Sequence, residues 1–390
     1  DGGEAVEPVW HILRDNIRVS DLVVGDMQAQ IAAARIGAER LVELIDRYGR
    51  ETFRAACDNV MSHAERLMRQ AIAKLPDGTY AATTYIDGYL DDPEPSRRDL
   101  PLCVAITVDG DEMVVDLTGT AAQVPDRPIN MPLEGTVDIA IWLTIRSVLL
   151  DTAVHGHIPV NDGLVRPIRI VAPEGCLANP TFPAPTIARF CPGNQLADTV
   201  MKALAEVAPG QVSAGIGNLR VIAFSGIRDS EHWVHMEIFE GSYGGRDGKD
   251  GMDAVDTLYA NTRNNPIEDI ESHLPLRVDR YELREDVCGA GQWRGGLGSV
   301  REFVYLSDGG ASIEGEGHRY APWGFDGGTD GGAAGLRLDR ADGNGGELPS
   351  KVPHTPVRAG DRFVCVGPAG GGYGDPLERD PAQVQADVED

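Results

Sequence analysis

The residues best suited to chemistry lie in one glycine-rich stretch, GSYGGRDGKDGMDAVDTLYANTRNNP, which covers residues 241–266. Gly244 and Gly245 have no side chains, so a ligand can approach their backbone closely. The planar guanidinium of Arg246 matches a carboxylate or a phosphoryl group through paired hydrogen bonds. The stretch follows the strand-like run HWVHMEIFE. This pattern is typical of an anion-binding loop or of a surface turn.

Three further polar residues stand near the end of this stretch, in NTRNNP. The hydroxyl of Thr262, the guanidinium of Arg263 and the amide of Asn264 would orient a polar substrate. The alternative is a turn rich in Asn and Gly whose side chains bond to its own backbone. The local pattern alone favours the turn.

The histidines offer one local metal hypothesis, in HGHIPVND. His155 and His157 would point the same way in an extended segment and chelate a metal together with Asp162. The alternative, which we favour, is a solvated loop between a helix and a strand. The sequence also lacks a P-loop, an EF-hand loop, a G-x-S-x-G elbow and an H-E-x-x-H pair.

Two long helices are predicted to precede these residues. Apolar or small residues recur at helical spacing in each segment, and only Gly49 and Arg50 separate the two patterns, so we expect an antiparallel helical hairpin. The first stripe comprises Met27, Ile31, Ala34, Ala38, Leu41, Ile45 and Tyr48, and the second comprises Phe53, Cys57, Val60, Ala64, Leu67 and Ala71. We expect both stripes to serve helix packing.

The rest of the chain mixes helices with strands. LCVAITVDGDEMVVDLTG predicts a hairpin around Asp109-Gly110, and residues 194–210 predict a helix with Asn194 as its N-cap. After residue 211 the pattern is mainly that of strands. We therefore predict an α+β protein. Its expected parts are a helical hairpin at 1–76, a mixed region at 77–210 and a mostly β region at 211–390.

Composition excludes several classes of partner. The 390 residues carry a formal net charge of −26, which repels nucleic-acid backbones and anionic membrane surfaces. The longest apolar tract, IAIWLTIRSVLL, is short and contains Arg146, so no membrane span is expected. The six cysteines lie far apart and predict reduced thiols in the cytoplasm.

Several tracts together resemble the hydantoinase B/5-oxoprolinase family. They are LVVGDMQAQIAAARIGAERLVELIDRYG, VNDGLVRPIRIVAPEGCLANP, GHRYAPWGFDGG, GPAGGGYGDPLERDP and the long tract that begins NTRNNPIEDIESHLPLRVDRYELRED. They occur in the family's order and cover nearly the whole chain. The resemblance implies a B-type subunit in a hetero-oligomer with a hydantoinase A-type subunit that binds ATP and Mg²⁺.

The resemblance also implies a reaction. ATP would activate a cyclic amide by phosphorylation on the partner, and the B-type subunit would help to hydrolyse it. Related subunits belong to ATP-dependent carboxylases of ketones such as acetone and acetophenone, and a non-catalytic scaffold is the third alternative. The implied catalytic residues are Arg246, Thr262 and Asn264, and the implied substrate-binding residues are Asn194, Gly244, Gly245 and Arg263.

Two departures from the family pattern bear on these expectations. Family members carry an amino-terminal region with histidines and aspartates associated with a metal, and the chain is expected to be a fragment or a split subunit, with Zn or Mn held through that region. Hydrolytic members usually read G-G-N-V-E-T-S-Q where this chain has ARFCPGNQLAD, residues 188–198. Asn194 matches, whereas the glutamate and the serine do not, which raises the carboxylase alternative.

Overall fold

The computed structural model describes residues 3–89 and 92–389, and its architecture confirms the predicted α+β class. The helices are α1 (Glu7–Asn16), α2 (Ser20–Tyr48), α3 (Arg50–Ile72), α4 (Asp138–Leu149), α5 (Thr152–His155), α6 (Phe190–Ala205), α7 (Ile267–His273) and α8 (Pro381–Glu389). The strands are β1 (Gly78–Asp87), β2 (Asp99–Asp109), β3 (Glu112–Asp116), β4 (Ile168–Val171), β5 (Arg220–Arg228), β6 (Glu231–Phe239), β7 (Leu276–Leu283), β8 (Ser299–Tyr305), β9 (Gly309–Gly315), β10 (Gly335–Asp339), β11 (Gly346–Glu347), β12 (Val352–Val357) and β13 (Arg362–Val366).

Two consecutive helices stand where the helical hairpin was predicted. Gly49 joins α2 to α3 with a φ of 81°, a conformation that glycine adopts without strain, and the two helices contact each other. The carboxyl-terminal half of α3 enters the core through Ala64, Met68 and Ile72. In α2, however, Val24 is buried while most of the predicted stripe is exposed, including Ile31. The expectation that this stripe serves packing within the chain is therefore wrong for α2.

The first sheet, in the order β1-β2-β3-β4, supports the helices that form the first core. Strands β2 and β3 form the predicted hairpin, with Gly110 in the turn at a φ of 62°. Helix α6 lies against β1, β2 and α4. This core takes buried residues from Ala64 to Val212 and also Trp323, which reaches it from a later loop.

Two antiparallel sheets form the second half. Their strand orders are β11-β10-β13-β8-β7 and β12-β9-β5-β6. Aromatic side chains from both sheets meet between them: the rings of Phe224 on β5 and Phe303 on β8 stack at 5.2 Å, and Phe363 on β13 lies edge-on to Phe224. The division into parts at 76/77 and 210/211 stays a prediction.

Glycine-rich loops pack against one another beside these sheets. The amide of Gly245 donates to the carbonyl of Gly371 at 2.8 Å, and the amide of Gly370 donates to Gly296 at 2.9 Å. A Cβ atom on Gly370 would lie 2.1 Å from the carbonyl oxygen of Tyr243, so no larger residue fits this backbone contact without a shift. Within the described residues, no helix combines the length and the apolar character that a membrane crossing requires.

Candidate functional site

Helix α6 is the centre of the candidate site, because residues along it line three separate cavities. Thirteen of its 16 residues are buried. Leu196 and Val200 pack in the first core, as the apolar spacing of the helix requires. Asn194 and Asp198 are buried just as deeply. Buried polar side chains need hydrogen-bond partners, and here those partners come from distant parts of the chain.

Asn194 joins α6 to the glycine-rich stretch 241–266. Its amide nitrogen donates to the hydroxyl of Thr257 at 2.7 Å and to the side-chain oxygen of Asn218 at 3.1 Å. Its own oxygen is buried and has no partner among the described residues. The helix begins at Phe190, so Asn194 lies inside the helix and the predicted N-cap role is wrong. The reason is that the turn before the helix ends four residues earlier than the apolar pattern suggests.

Asp198 occupies the next turn of α6 and receives three hydrogen bonds. The donors are the backbone amide of Ile216 at 3.2 Å, the indole nitrogen of Trp323 at 2.8 Å and the side-chain amide of Gln195 at 3.2 Å. Burial raises the pKa of Asp198 to about 6, although these donors favour the charged form. A carboxyl group that titrates near neutrality inside a cavity has the properties of a proton donor or acceptor.

The cavity at Asp198 measures about 250 Å³. Its lining includes Thr83, Tyr85 and Tyr320, and the ammonium of Lys202 lies 5.5 Å from the ring centre of Trp323. Polar residues therefore line the cavity together with Asp198. The arrangement suits a small polar ligand that exchanges a proton with Asp198.

Arg246 lines a different cavity, of about 330 Å³, on the side of α6 that carries Met201. Its backbone pairs with that of Lys249 through two hydrogen bonds of 3.0 Å, and both side chains are exposed at the cavity. The nearby carboxylate of Asp250 is held by the guanidinium of Arg379 at 2.8 Å. The cavity therefore presents two cationic side chains, which suit a carboxylate or a phosphoryl group.

Close backbone packing explains why glycine occupies the two positions before Arg246. Gly244 and Gly245 are buried, and a Cβ atom on either would lie 2.2 Å from a carbonyl oxygen, of Ala214 and Trp293 respectively. The close approach inferred from the sequence is thus made by the protein's own backbone. Their role in substrate binding stays a prediction.

The other predicted residues of the stretch do not reach the cavity at Arg246. Thr262, Arg263 and Asn264 are exposed, and none of them lines that cavity. The amide nitrogen of Asn264 donates to the phenolic oxygen of Tyr281. The predicted substrate loop is therefore divided, with Arg246 at one cavity and residues 262–264 on an exposed turn.

The proposed metal chelate does not form. His155 ends the short helix α5, His157 and Asp162 are exposed, and no cluster of three or more His, Cys, Asp or Glu side chains in residues 3–89 and 92–389 could hold a metal ion. The physical reason is that HGHIPVND contains a helix end and turns, so the alternation of an extended segment does not apply.

Two buried ionic clusters were missed by the sequence reasoning. The guanidinium of Arg301 on β8 lies 2.8 Å from Glu237 and 3.5 Å from Glu240, and burial raises the pKa of Glu240 to about 7. The ammonium of Lys351 lies 2.6 Å from Glu316, and burial raises the pKa of Glu316 to about 8. Charged residues within otherwise apolar strand patterns, such as REFVY, were the available signal.

Comparison with known proteins identifies the family to which this architecture corresponds. The family described as hydantoinase B/oxoprolinase matches residues 1–376. A relative from Pseudomonas sp. (strain NS671), whose name describes the B-type component of a D-/L-hydantoinase, is 60% identical over 391 residues. That alignment covers 100% of this chain and 66% of the relative. The beta component of the caprolactamase of Pseudomonas jessenii is 31% identical, over 99% of this chain and 67% of the relative.

Solved structures agree with this assignment. The crystal structure of the ATP-dependent caprolactamase from Pseudomonas jessenii matches with a TM-score of 0.85 at 28% identity, over 99% of this chain and 67% of that chain. A nucleotide-free acetone carboxylase structure matches with a TM-score of 0.84 at 16% identity, over 99% and 57% of the two chains, which shows a shared fold. The chain belongs to the hydantoinase B/oxoprolinase family.

Proposed function

We propose that this chain acts as the B-type subunit of an ATP-dependent amidohydrolase that opens a cyclic amide, with ATP and Mg²⁺ bound by an A-type partner in a hetero-oligomer. The observation that carries the proposal is the 60% identity, along the whole chain, to a relative named as the B-type component of a hydantoinase. The similarity to an ATP-dependent caprolactamase adds support, because caprolactam is itself a cyclic amide.

The chemistry begins with phosphorylation of the amide oxygen, which turns that oxygen into a good leaving group. Water then adds to the activated carbon and the ring C–N bond breaks, which releases the amine and leaves an acyl phosphate. A second water hydrolyses the acyl phosphate to the carboxylate and phosphate. Positioned cations and hydrogen-bond donors stabilise the negative charge that develops. Arg246 is the candidate ligand for this charge. Asp198, which lines a separate cavity, would hold or move the proton only if the substrate binds in that cavity instead.

No step is assigned to a metal on this chain. The His, Cys, Asp and Glu side chains of the described residues form no cluster that fits a Zn or Mn ion. The residue that we place in the reaction is Arg246, and Asp198 in its separate cavity is the alternative. These groups act through charge, proton exchange and hydrogen bonding.

Reconstitution tests the proposal. The full-length protein is expressed with its A-type partner and supplied with ATP, Mg²⁺ and, in turn, hydantoin, 5-oxoproline and caprolactam. We expect ADP release together with ring opening of at least one cyclic amide, and no ATP binding at micromolar concentration by this chain alone. ATP turnover that needs a ketone and bicarbonate would instead show a carboxylase. Full activity of the partner alone would show a scaffold.

Arg246→Ala tests the placement of the substrate. Arg246 is exposed, so the free energy of unfolding should change by no more than about 0.5 kcal/mol. Loss of a charge-assisted contact to the reacting group should cost roughly 2–4 kcal/mol of transition-state stabilisation, and turnover should fall accordingly. The matched control is Arg228→Ala, at an exposed arginine at the end of β5. Unchanged turnover in Arg246→Ala would move the substrate away from this cavity.

A further inference from the structure

A third cavity, of about 340 Å³, lies between the start of α6 and the outer face of the last sheet. Its floor is formed by residues that the strand register places side by side. Ala223 on β5 pairs with Met236 on β6 and with Ser312 on β9, and Val221 pairs with Glu314. The volume lies within the range of sites for small organic ligands.

The opposite wall is apolar and comes from Pro128 and from the residues just before and at the start of α6. Pro128, Ile187, Ala188, Phe190 and Cys191 line it. At the rim, Ile187 is 71% exposed, Phe190 is 40% exposed and Met236 is 59% exposed. Apolar side chains are thus concentrated at the rim of a cavity, where an apolar ligand group would cover them.

One end of the cavity is polar. The hydroxyl of Tyr89 donates to one carboxyl oxygen of Glu314 at 3.2 Å, and the guanidinium of Arg127 lies 4.6 Å from the centre of the Tyr89 ring. The second carboxyl oxygen of Glu314 is buried without a partner among the described residues, as is the Nε of Arg127. Burial raises the pKa of Glu314. This end therefore offers an acceptor and a donor that the chain itself leaves unused.

The geometry points to a binding site for a small molecule with a branched apolar arm and a neutral amide at one end. An amide supplies an N–H for Glu314 and a carbonyl oxygen for Arg127, whereas an amine supplies donors alone and a carboxylate supplies acceptors alone. The arm fills the space between Phe190 and Met236. The inference concerns binding and does not depend on the proposed reaction.

Calorimetric titration of the full chain at pH 8 tests the site with four probes. Isovaleramide carries both features, acetamide lacks the arm, and isovalerate and isoamylamine carry the arm with a charged end. We expect isovaleramide to bind roughly fiftyfold more tightly than acetamide, because three apolar carbon atoms are lost. Equal affinity for acetamide, or tighter binding of either charged probe, would overturn the proposal.

Variants locate the binding. Ala223→Leu fills the floor of the cavity and should abolish isovaleramide binding, and Met236→Ala removes an exposed apolar contact and should weaken binding severalfold without unfolding the chain. Glu314→Gln adds donors beside Arg127 and should reverse the preference toward isovalerate. Val234→Ala, on the same strand as Met236 but outside the cavity lining, is the control. Unchanged affinity in both Met236→Ala and Glu314→Gln would overturn the site.

Discussion

Helices α2 and α6 carry similar apolar patterns in the sequence and have opposite environments in the structure. In α2, which has 29 residues, Val24 is the buried residue. In α6, 13 of 16 residues are buried, including the polar Asn194 and Asp198. Leu41 of α2 is 46% exposed, whereas Leu196 of α6 is 0% exposed.

The comparison shows what helical periodicity specifies. A repeat of apolar residues fixes the helix and its apolar face, because side chains three and four positions apart lie on the same side. It does not specify what covers that face. In α6 the face meets two strands and another helix, whereas in α2 large apolar side chains such as Ile36 and Leu41 remain exposed. Burial depends on contacts distant in sequence.

The largest expected difference concerns the two leucines. Leu196→Ala leaves a cavity in a packed core and should lower the free energy of unfolding by about 4 kcal/mol. Leu41→Ala removes an exposed side chain and should change it by no more than about 0.5 kcal/mol. Guanidinium denaturation of the isolated chain measures both values. Equal losses would show that α2 packs as tightly in solution as α6.

The next prediction uses the buried carboxyl group that distinguishes α6. The pKa of Asp198 in the folded state, about 6, lies above that of an unfolded aspartate. The folded protein therefore binds this proton more tightly, and the resulting stabilisation is complete below about pH 4 and is lost as the pH rises through about 6. Relative to Asp198→Asn, the unmodified chain should lose about 2 kcal/mol between about pH 4 and about pH 7.

The pH series needs a matched control at an exposed aspartate. Asp58→Asn, which makes the same substitution at an exposed position of α3, is that control. A constant difference between the unmodified chain and Asp198→Asn across the pH range would show that Asp198 keeps its ordinary pKa in the fold.

Local features of the fold could be predicted from the sequence, and long-range ones could not. The bounds of α2 and the hairpin around Gly110 follow from periodicity and turn chemistry, and both are confirmed. The depth of Asp198 could not be inferred, because its donors Ile216 and Trp323 lie 18 and 125 residues away along the chain. A single aspartate in an apolar helix carries no local sign of these partners.

The candidate site shows the same limit. The family resemblance predicts that Asn194 binds substrate. Its hydrogen bond to Thr257 links it to the 241–266 stretch, which the sequence also predicts to be functional. Gly244 was selected for ligand access, whereas the space next to it is occupied by the backbone of Ala214. The residues predicted from the sequence do make close contacts. The sequence does not specify whether such a contact is made with a ligand or with another part of the chain.

The smallest expected effect concerns one glycine in each helix. A Cβ atom on Gly37 of α2 would have no atom within 4 Å. Gly37→Ala should therefore raise the free energy of unfolding by about 1 kcal/mol through helix propensity alone. Thermal unfolding of the isolated chain measures the shift, and no increase would show that α2 is not a stable helix in solution.

Gly193→Ala in α6 should bring the same gain in helix propensity, but here the new methyl group meets packed neighbours. A Cβ atom there would lie 3.2 Å from a ring carbon of Tyr259 and 3.5 Å from the methyl group of Thr136. Tyr259 belongs to the 241–266 stretch, so its ring must move away from α6 to admit the methyl group. Overpacking of this kind costs about 1–3 kcal/mol, which offsets the propensity gain. Gly193→Ala should therefore be no more stable than the unmodified chain, and a gain equal to that of Gly37→Ala would show that the contact between α6 and Tyr259 is loose.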